Sequence, residues 1–155
     1  MSWSKDFQKN LIKGKITEEI FHQMFIEDGK YVVIPFGYEK VLPELVRFKD
    51  KSLLESIKDS PDFVLAYKQE SIEDILLVEV KFRHKMVASE NLKMVIEQNK
   101  RWSPSCLFIA TAGGFYFGKC KDIIKNKGMI DPLTEKMVSR IIQDKYKKIL
   151  KDFLK

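Results

Sequence analysis

Apolar and polar positions along this chain follow two periods, one typical of strands and one of helices. Short apolar runs bounded by turn residues predict buried strands, over residues 31–36, 62–67, 75–82, 106–110 and 115–118. Apolar residues three and four apart predict helices, over residues 3–13, 15–28, from 89 up to Pro104, 119–126 and 131–151. Residues 37–60 predict only a short helix at 52–58, and residues 69–74 suit a turn.

This order of elements predicts an α/β fold. A helical region is followed by three strands, a further helix, a strand, a short strand and a last helix. We therefore expect a mixed β-sheet flanked by helices on both faces. A length of 155 residues favours a single domain covering the whole chain.

The end of the strand predicted at 75–82 carries the candidate chemistry. Side chains alternate between the faces of a strand, so Glu79 and Lys81 share one face while Val80 points to the other. Asp62 opens the preceding strand, directly after Pro61. Charged groups at the ends of buried strands are costly unless they have partners or a metal ion. These positions therefore favour a site over a surface ion pair.

The net positive charge of the chain comes from its C-terminal segment. Residues 1–118 contain 17 basic and 17 acidic residues, whereas residues 119–155 contain 11 and 5. A basic segment beside a neutral body indicates contact with a polyanion such as nucleic acid. A solvated, lysine-rich helix face is the equally open alternative.

Composition narrows the remaining function classes. No apolar run approaches the roughly 20 residues that span a bilayer, and the N-terminus lacks a signal-peptide core, so we expect no membrane partner. Two cysteines provide no disulfide framework, which favours a reducing cytoplasm. His22 and His84 lack the close spacing of zinc ligands.

Three sequence elements together resemble the PD-(D/E)XK nuclease superfamily. They are the helix element from Gly14 to Glu18, the Pro61-Asp62 pair and the triplet Glu79-Val80-Lys81. This superfamily has the restriction-endonuclease-like fold and includes the archaeal Holliday-junction resolvases. The resemblance covers about residues 14–118 and leaves the basic segment 119–155 outside it. Glu19 remains an alternative to Glu18.

The resemblance implies a metal-dependent phosphodiesterase, namely an endonuclease that cuts DNA. Asp62 and Glu79 would bind Mg²⁺ or Mn²⁺, with the backbone carbonyl of Val80 as a further ligand. Lys81 would position or activate the attacking water and offset charge in the transition state. Glu18 would complete the catalytic set by a direct or water-mediated contact with the metal.

Candidate nucleic-acid contacts follow the strand that carries Glu79. Arg83, Lys85, Lys100 and Arg101 are suitable phosphate contacts, although each could equally be a solvated charge. Gln98, with Trp102 four residues later, resembles a Q-x-x-x-Y element of the superfamily. Gln98 could therefore bind a phosphate or a base, whereas core packing is the favoured role of Trp102.

Two other function classes remain open from the sequence. One is a catalytically inactive module on the same fold that binds nucleic acid or protein. The other is a nuclease directed at RNA, or a defence effector. For the nuclease itself, structure-selective and restriction-type cleavage are both compatible with the sequence, as is a homodimer.

Overall fold

The computed structural model describes residues 4–36, 60–68 and 75–155. The helices, in chain order, are α1 (Lys5–Asp28), α2 (Ala88–Arg101), α3 (Cys120–Lys125) and α4 (Arg140–Phe153). The strands are β1 (Tyr31–Pro35), β2 (Phe63–Tyr67), β3 (Ile75–Phe82), β4 (Ser105–Thr111) and β5 (Gly114–Lys119). The predicted helix at 52–58 and the predicted turn at 69–74 lie outside the described residues.

The described strands form one sheet in the order β1-β2-β3-β4-β5. β1 pairs with β2 and β2 with β3 in antiparallel directions, whereas β3 and β4 are parallel. α2 makes the crossover between the two parallel strands, and β4 and β5 form the predicted hairpin at Gly113-Gly114. The prediction of an α/β fold with a mixed sheet is confirmed.

Helices cover both faces of the sheet, and a separate apolar cluster lies under each face. One cluster joins α1, α4 and the sheet, and its largest buried side chains are Phe21, Met24, Phe25, Phe63, Leu65, Phe108 and Leu150. The other lies between the sheet and the helices α2 and α3, and it contains Val95, Leu107, Ile109, Cys120, Ile123 and Ile130. Val78 and Val80 of β3 belong to the first cluster.

α1 is one continuous helix, so the prediction of two helices at 3–13 and 15–28 was wrong. Ser4 caps its beginning, where the Phe7 N–H donates to Ser4 Oγ at 3.2 Å. Gly29, with a left-handed φ of 82°, ends it as predicted. Gly14 is therefore an interior helical residue. None of the helices within residues 4–36, 60–68 and 75–155 is both long and apolar enough to cross a membrane.

The last helix begins at Arg140, so the predicted beginning at residue 131 was also wrong. The preceding backbone pairs with β5 instead, because the Phe117 N–H donates to the Asp131 carbonyl at 3.0 Å and the Leu133 N–H to the Phe115 carbonyl at 2.9 Å.

α4 is held against the end of α1 by polar contacts as well as by the core. Lys145 Nζ lies 2.6 Å from Glu27 Oε1, and the Ser139 N–H donates to Asp28 Oδ1 at 2.8 Å. The Asp28 carboxylate also accepts from Lys30 Nζ at 3.0 Å. Part of the basic C-terminal charge is therefore neutralised within the domain.

We expect Gly14→Ala to stabilise the protein by roughly 0.5–1 kcal/mol, because glycine inside a helix lowers stability by that amount relative to alanine. Apart from the two chain neighbours and the backbone of α1 itself, no described residue has an atom within 4 Å of the position that a Cβ would occupy at Gly14, so a methyl group fits. Urea denaturation of the two proteins measures the difference.

Gly128→Ala is the matched control for this substitution. A Cβ there would collide with the Ala88 carbonyl oxygen, and the φ of Gly128 is 94°. We expect the control to destabilise the protein by more than about 1 kcal/mol. A destabilised Gly14→Ala variant would contradict the placement of Gly14 in an open helical position.

Candidate active site

β3 places Glu79 and Lys81 side by side on one face of the sheet. Val78 and Val80, which alternate with them, are 0% and 6% exposed in the core under α1. Glu79 Oε1 and Lys81 Nζ are 3.2 Å apart, and their side chains are 17% and 40% exposed. The pair therefore lies at the margin of the core, where Lys81 can reach solvent while Glu79 is largely enclosed.

Asp62 joins this pair at the point where the β2–β3 ladder ends. The register of the two strands begins at Phe63 and Val78, and the Asp62 N–H donates to the Val78 carbonyl at 3.0 Å. The N–H of Val80, one step further along β3, donates to Asp62 Oδ2 at 2.8 Å. The Asp62 carboxylate thus continues the ladder in place of a backbone acceptor.

Helix α1 contributes a third acid, Glu18, and an aromatic contact in the core positions the helix that carries it. The rings of Phe21 and Phe63 are 4.9 Å apart, which fixes α1 against the beginning of β2. Glu18 lies one turn before Phe21, and Asp62 directly precedes Phe63. The carboxyl groups of Glu18 and Asp62 are hydrogen-bonded to each other, and Asp62 shares a further hydrogen bond with Glu79.

The structure also distinguishes between the two adjacent acids of α1. Glu19 is exposed and accepts a hydrogen bond from Gln23 Nε2 at 2.9 Å on the outer surface of the helix. Glu18, in contrast, faces the acids of the sheet. The structure therefore brings Glu18, Asp62, Glu79 and Lys81 together, although their positions in the sequence are widely separated.

Burial, and then the proximity of other acids, makes the ionisation of Asp62 and Glu79 unfavourable. Burial and the neighbouring charge of Glu79 raise the pKa of Asp62 from 3.8 to about 6. Burial raises the pKa of Glu79 as well, although the Lys81 ammonium opposes this rise. Lys81 therefore does not fully compensate the negative charge of the site.

The oxygen donors of the site suit a hard divalent cation. Asp62 and Glu79 supply carboxylates, and the Val80 carbonyl points to the same side of β3 as the Val80 N–H, which is the side of Asp62. Within residues 4–36, 60–68 and 75–155, no group of three or more His, Cys, Asp or Glu side chains is arranged to hold a metal ion. Two carboxylates, with water and a phosphate as the other ligands, form a set that is usual for Mg²⁺.

The predicted nucleic-acid contacts are dispersed over the loop after β3 and over α2. Arg83 is half-buried, with a terminal nitrogen 3.7 Å from the sulfur of Met94, while Lys85 is exposed. Lys100 and Arg101 are exposed near the end of α2, where Lys100 Nζ is 3.6 Å from a Glu97 carboxylate oxygen.

Gln98 and Trp102 are directed toward the interior of the protein. Gln98 is only 9% exposed, and its Nε2 donates to the Cys106 carbonyl at 3.1 Å. Trp102 is half-buried, and its ring meets that of Phe36 edge-on at 5.7 Å. In this arrangement Gln98 holds α2 against the beginning of β4.

The sequence did not single out the pair formed by Lys13 and His84. Lys13 Nζ lies 3.2 Å from His84 Nε2, which connects α1 to the loop after β3. The two residues are 71 positions apart, so no local pattern indicated the contact. Lys13 directly precedes the glycine of the Gly14–Glu18 element, and His84 directly follows Arg83. The sequence signal available for this contact was that each residue directly adjoins a predicted site element.

Comparisons with known proteins add a distant structural likeness. No protein-family model matches the chain, and no curated protein matches it either. The chain is similar in structure to Hjc of Archaeoglobus fulgidus, a Holliday junction resolvase, with a TM-score of 0.40 and 12% sequence identity. The likeness covers 70% of this chain and 74% of Hjc. The chain's own mixed five-stranded sheet, with helices on both faces, agrees with the fold class that the sequence predicted.

The raised pKa of Asp62 predicts how stability depends on pH without divalent metal. A rise from 3.8 to about 6 corresponds to roughly 2–3 kcal/mol against the ionised form. The folded protein holds this proton more tightly than the unfolded chain does. The stabilisation from the protonated group is therefore complete below about pH 4 and is lost as the pH rises through 6.

We expect Asp62→Asn to be more stable than the wild type above pH 6, because the amide oxygen still accepts from Val80 and carries no charge. The advantage should shrink as the pH falls to about 4. Thermal melts in EDTA at several pH values measure it, with the exposed Asp144→Asn as control. A variant less stable than the wild type at pH 8 would contradict the assigned burial of charge.

Proposed function

We propose that this protein is a divalent-metal-dependent nuclease that hydrolyses phosphodiester bonds in DNA. The observation that supports this proposal is the convergence of Glu18, Asp62 and Glu79, with Lys81 bonded to Glu79. Structural ion pairs do not ordinarily collect three carboxyl groups at the edge of a core, two of them with a raised pKa, whereas catalytic sites do.

Each residue of this set has a distinct role in the proposed reaction. Asp62 and Glu79, with the Val80 carbonyl, would hold Mg²⁺ or Mn²⁺. The cation, when bound, supplies positive charge to the phosphate and activates water. Glu18, in its protonated form, orients the Asp62 carboxylate by donating to it in their hydrogen bond. The Val80 N–H fixes the second oxygen of that carboxylate, Oδ2, from the opposite strand.

Lys81 is the group that can reach the substrate. Its ammonium lies 3.2 Å from Glu79 and is partly exposed, so one of its protons is directed to the carboxylate and the others remain available. In this position it can donate to the attacking water and to a phosphate oxygen that gains charge in the transition state. The bond to Glu79 restricts the motion of a long side chain and so reduces the entropy lost on binding.

Cleavage assays test the proposal directly. We expect the protein with Mg²⁺ or Mn²⁺ to cut at least one of five labelled substrates: single-stranded DNA, duplex, flap, four-way junction or RNA. Asp62→Ala and Lys81→Ala should each lower the rate by at least about 100-fold, because each removes a group needed in the transition state. The preferred substrate identifies the subclass, and a preference for RNA would replace DNA in the proposal.

The exposed Asp144→Ala and Lys93→Ala variants control for loss of charge alone and should cleave as the wild type does. Cleavage that persists in EDTA, or that survives both site substitutions, would refute the assigned site. Binding without cleavage of any substrate would instead favour an inactive nucleic-acid-binding module.

Metal binding provides a test that does not depend on activity. We expect Mn²⁺ to raise the Tm of the wild type by mass action and Asp62→Asn to reduce that rise, whereas Asp144→Asn should not. Near pH 5, where Asp62 retains its proton because its pKa is about 6, binding should release protons. Calorimetric titration in two buffers of different ionisation enthalpy measures this release, which should disappear near pH 8.

A further inference from the structure

Gly14 lies on the surface of α1 near the candidate site, at a position with open space for a side chain. Gly14 lies one turn before Glu18, so the two residues share a face of the helix. Apart from its two chain neighbours and the backbone of the helix itself, no described residue has an atom within 4 Å of the place that its Cβ would occupy. Glycine weakens a helix interior, and neither a close packing contact nor a positive φ requires it here.

Lys13, the residue that precedes Gly14, carries a positive charge and contacts His84. Lys13 Nζ is 3.2 Å from His84 Nε2 and 5.8 Å from the centroid of the Phe82 ring. The His84 ring meets Phe82 edge-on at 4.9 Å, so one aromatic ring supports both groups. An ammonium can only donate, so this contact uses the His84 tautomer in which Nε2 is the acceptor.

The pair keeps several donors for an additional ligand. The Lys13 ammonium has three protons and uses one for His84, while the Nδ1–H of His84 is not needed for that contact. No carboxylate of the described residues forms an ion pair with Lys13, whose contacts there are with His84, Phe82 and the hydroxyl of Thr17, which donates to the Lys13 carbonyl. An uncompensated cation with spare donors at an open surface suits an anion.

We propose that Lys13, His84 and the open surface at Gly14 form a subsite for a backbone phosphate of the substrate strand, next to the phosphate that is cut. This inference rests on the proposed nuclease function and extends it. Gly14 and Glu18 are separated by about 6 Å along the helix axis, so one strand can contact the subsite and the acids together. The absent side chain at Gly14 lets the strand approach the helix closely.

Neutralising single phosphates of the cleaved substrate tests the contact. A methylphosphonate placed at each phosphate near the cut should slow wild-type cleavage strongly at one position adjacent to it. Lys13→Gln should lower affinity about tenfold, as expected for loss of a charged hydrogen bond, and should no longer respond to the methylphosphonate at that position. Lys15→Gln, on the same helix but turned away, should respond as the wild type does.

Gly14→Leu tests the open surface without weakening the fold. Leucine favours helix over glycine, so we expect a Tm at least as high as that of the wild type. The affinity for DNA in EDTA and the cleavage rate of Gly14→Leu should nevertheless be lower than those of the wild type by about tenfold or more. Gly14→Ala should have values between those of Gly14→Leu and the wild type. Gly14→Leu that cleaves as fast as the wild type would overturn this part of the inference.

The outcomes separate this inference from the nuclease proposal. If the wild type cleaves and Asp62→Ala does not, but Lys13→Gln gives the same methylphosphonate profile as the wild type, the subsite is refuted and the nuclease remains. If the wild type neither binds nor cleaves any nucleic acid of the panel, both are refuted.

Discussion

The hydrogen bond from the Val80 N–H to the Asp62 carboxylate is the constraint on which the candidate site depends. At this point β2 no longer supplies a backbone acceptor to β3, and the side chain of Asp62 takes its place at 2.8 Å. A buried N–H without an acceptor would be costly. The fold therefore requires a side-chain acceptor at this position, and the carboxylate that supplies it has its pKa raised to about 6 by burial and by the charge of Glu79.

The core and the site share their positioning contacts. Phe63 packs against Phe21, and both side chains are almost fully buried. These rings stabilise the fold through burial of apolar surface. They also set the distance between α1, which carries Glu18, and the beginning of β2, which Asp62 directly precedes. The acids themselves oppose folding when ionised. The arrangement is typical of functional sites, where local rules are violated and the surrounding core compensates.

The sequence predicted those features that depend on local pattern. The eight residues of β3 were predicted with their observed bounds, because an apolar run followed by alternation is specific. The two errors in helix bounds have local causes. Gly14 was interpreted as a break although an interior glycine is tolerated when the flanking turns are anchored. Asp131-Pro132 was interpreted as a helix start, but its backbone pairs with β5.

Features that depend on how the helices and strands pack against one another could not be predicted from the local sequence pattern. Whether Glu18 or Glu19 faces the sheet depends on how α1 is rotated about its axis, and the Phe21 contact determines that rotation. The contact between Lys13 and His84 joins residues 71 positions apart, so it requires the assembled sheet.

Positive charge occurs in two places that have different physical effects. Lys81 lies among the acids, where short distance and partial burial make its charge effective. The basic surplus of residues 119–155 belongs in part to α4, which packs at the far end of α1 near Glu27. Glu27 is nine residues from Glu18, or about 13 Å along the helix.

That separation exceeds a Debye length at physiological salt. Lys145, which lies beside Glu27, therefore contributes little to the charge balance of the acids. Such charges act instead on the approach and orientation of a polyanion, and their effect should be screened by salt far more strongly than that of Lys81. A strand that contacted both regions would have to run along α1, and Lys13 and Gly14 lie on the side of Glu18 opposite to α4. Along the axis of α1, Glu18 therefore lies between Lys13 and the end of the helix that contacts α4.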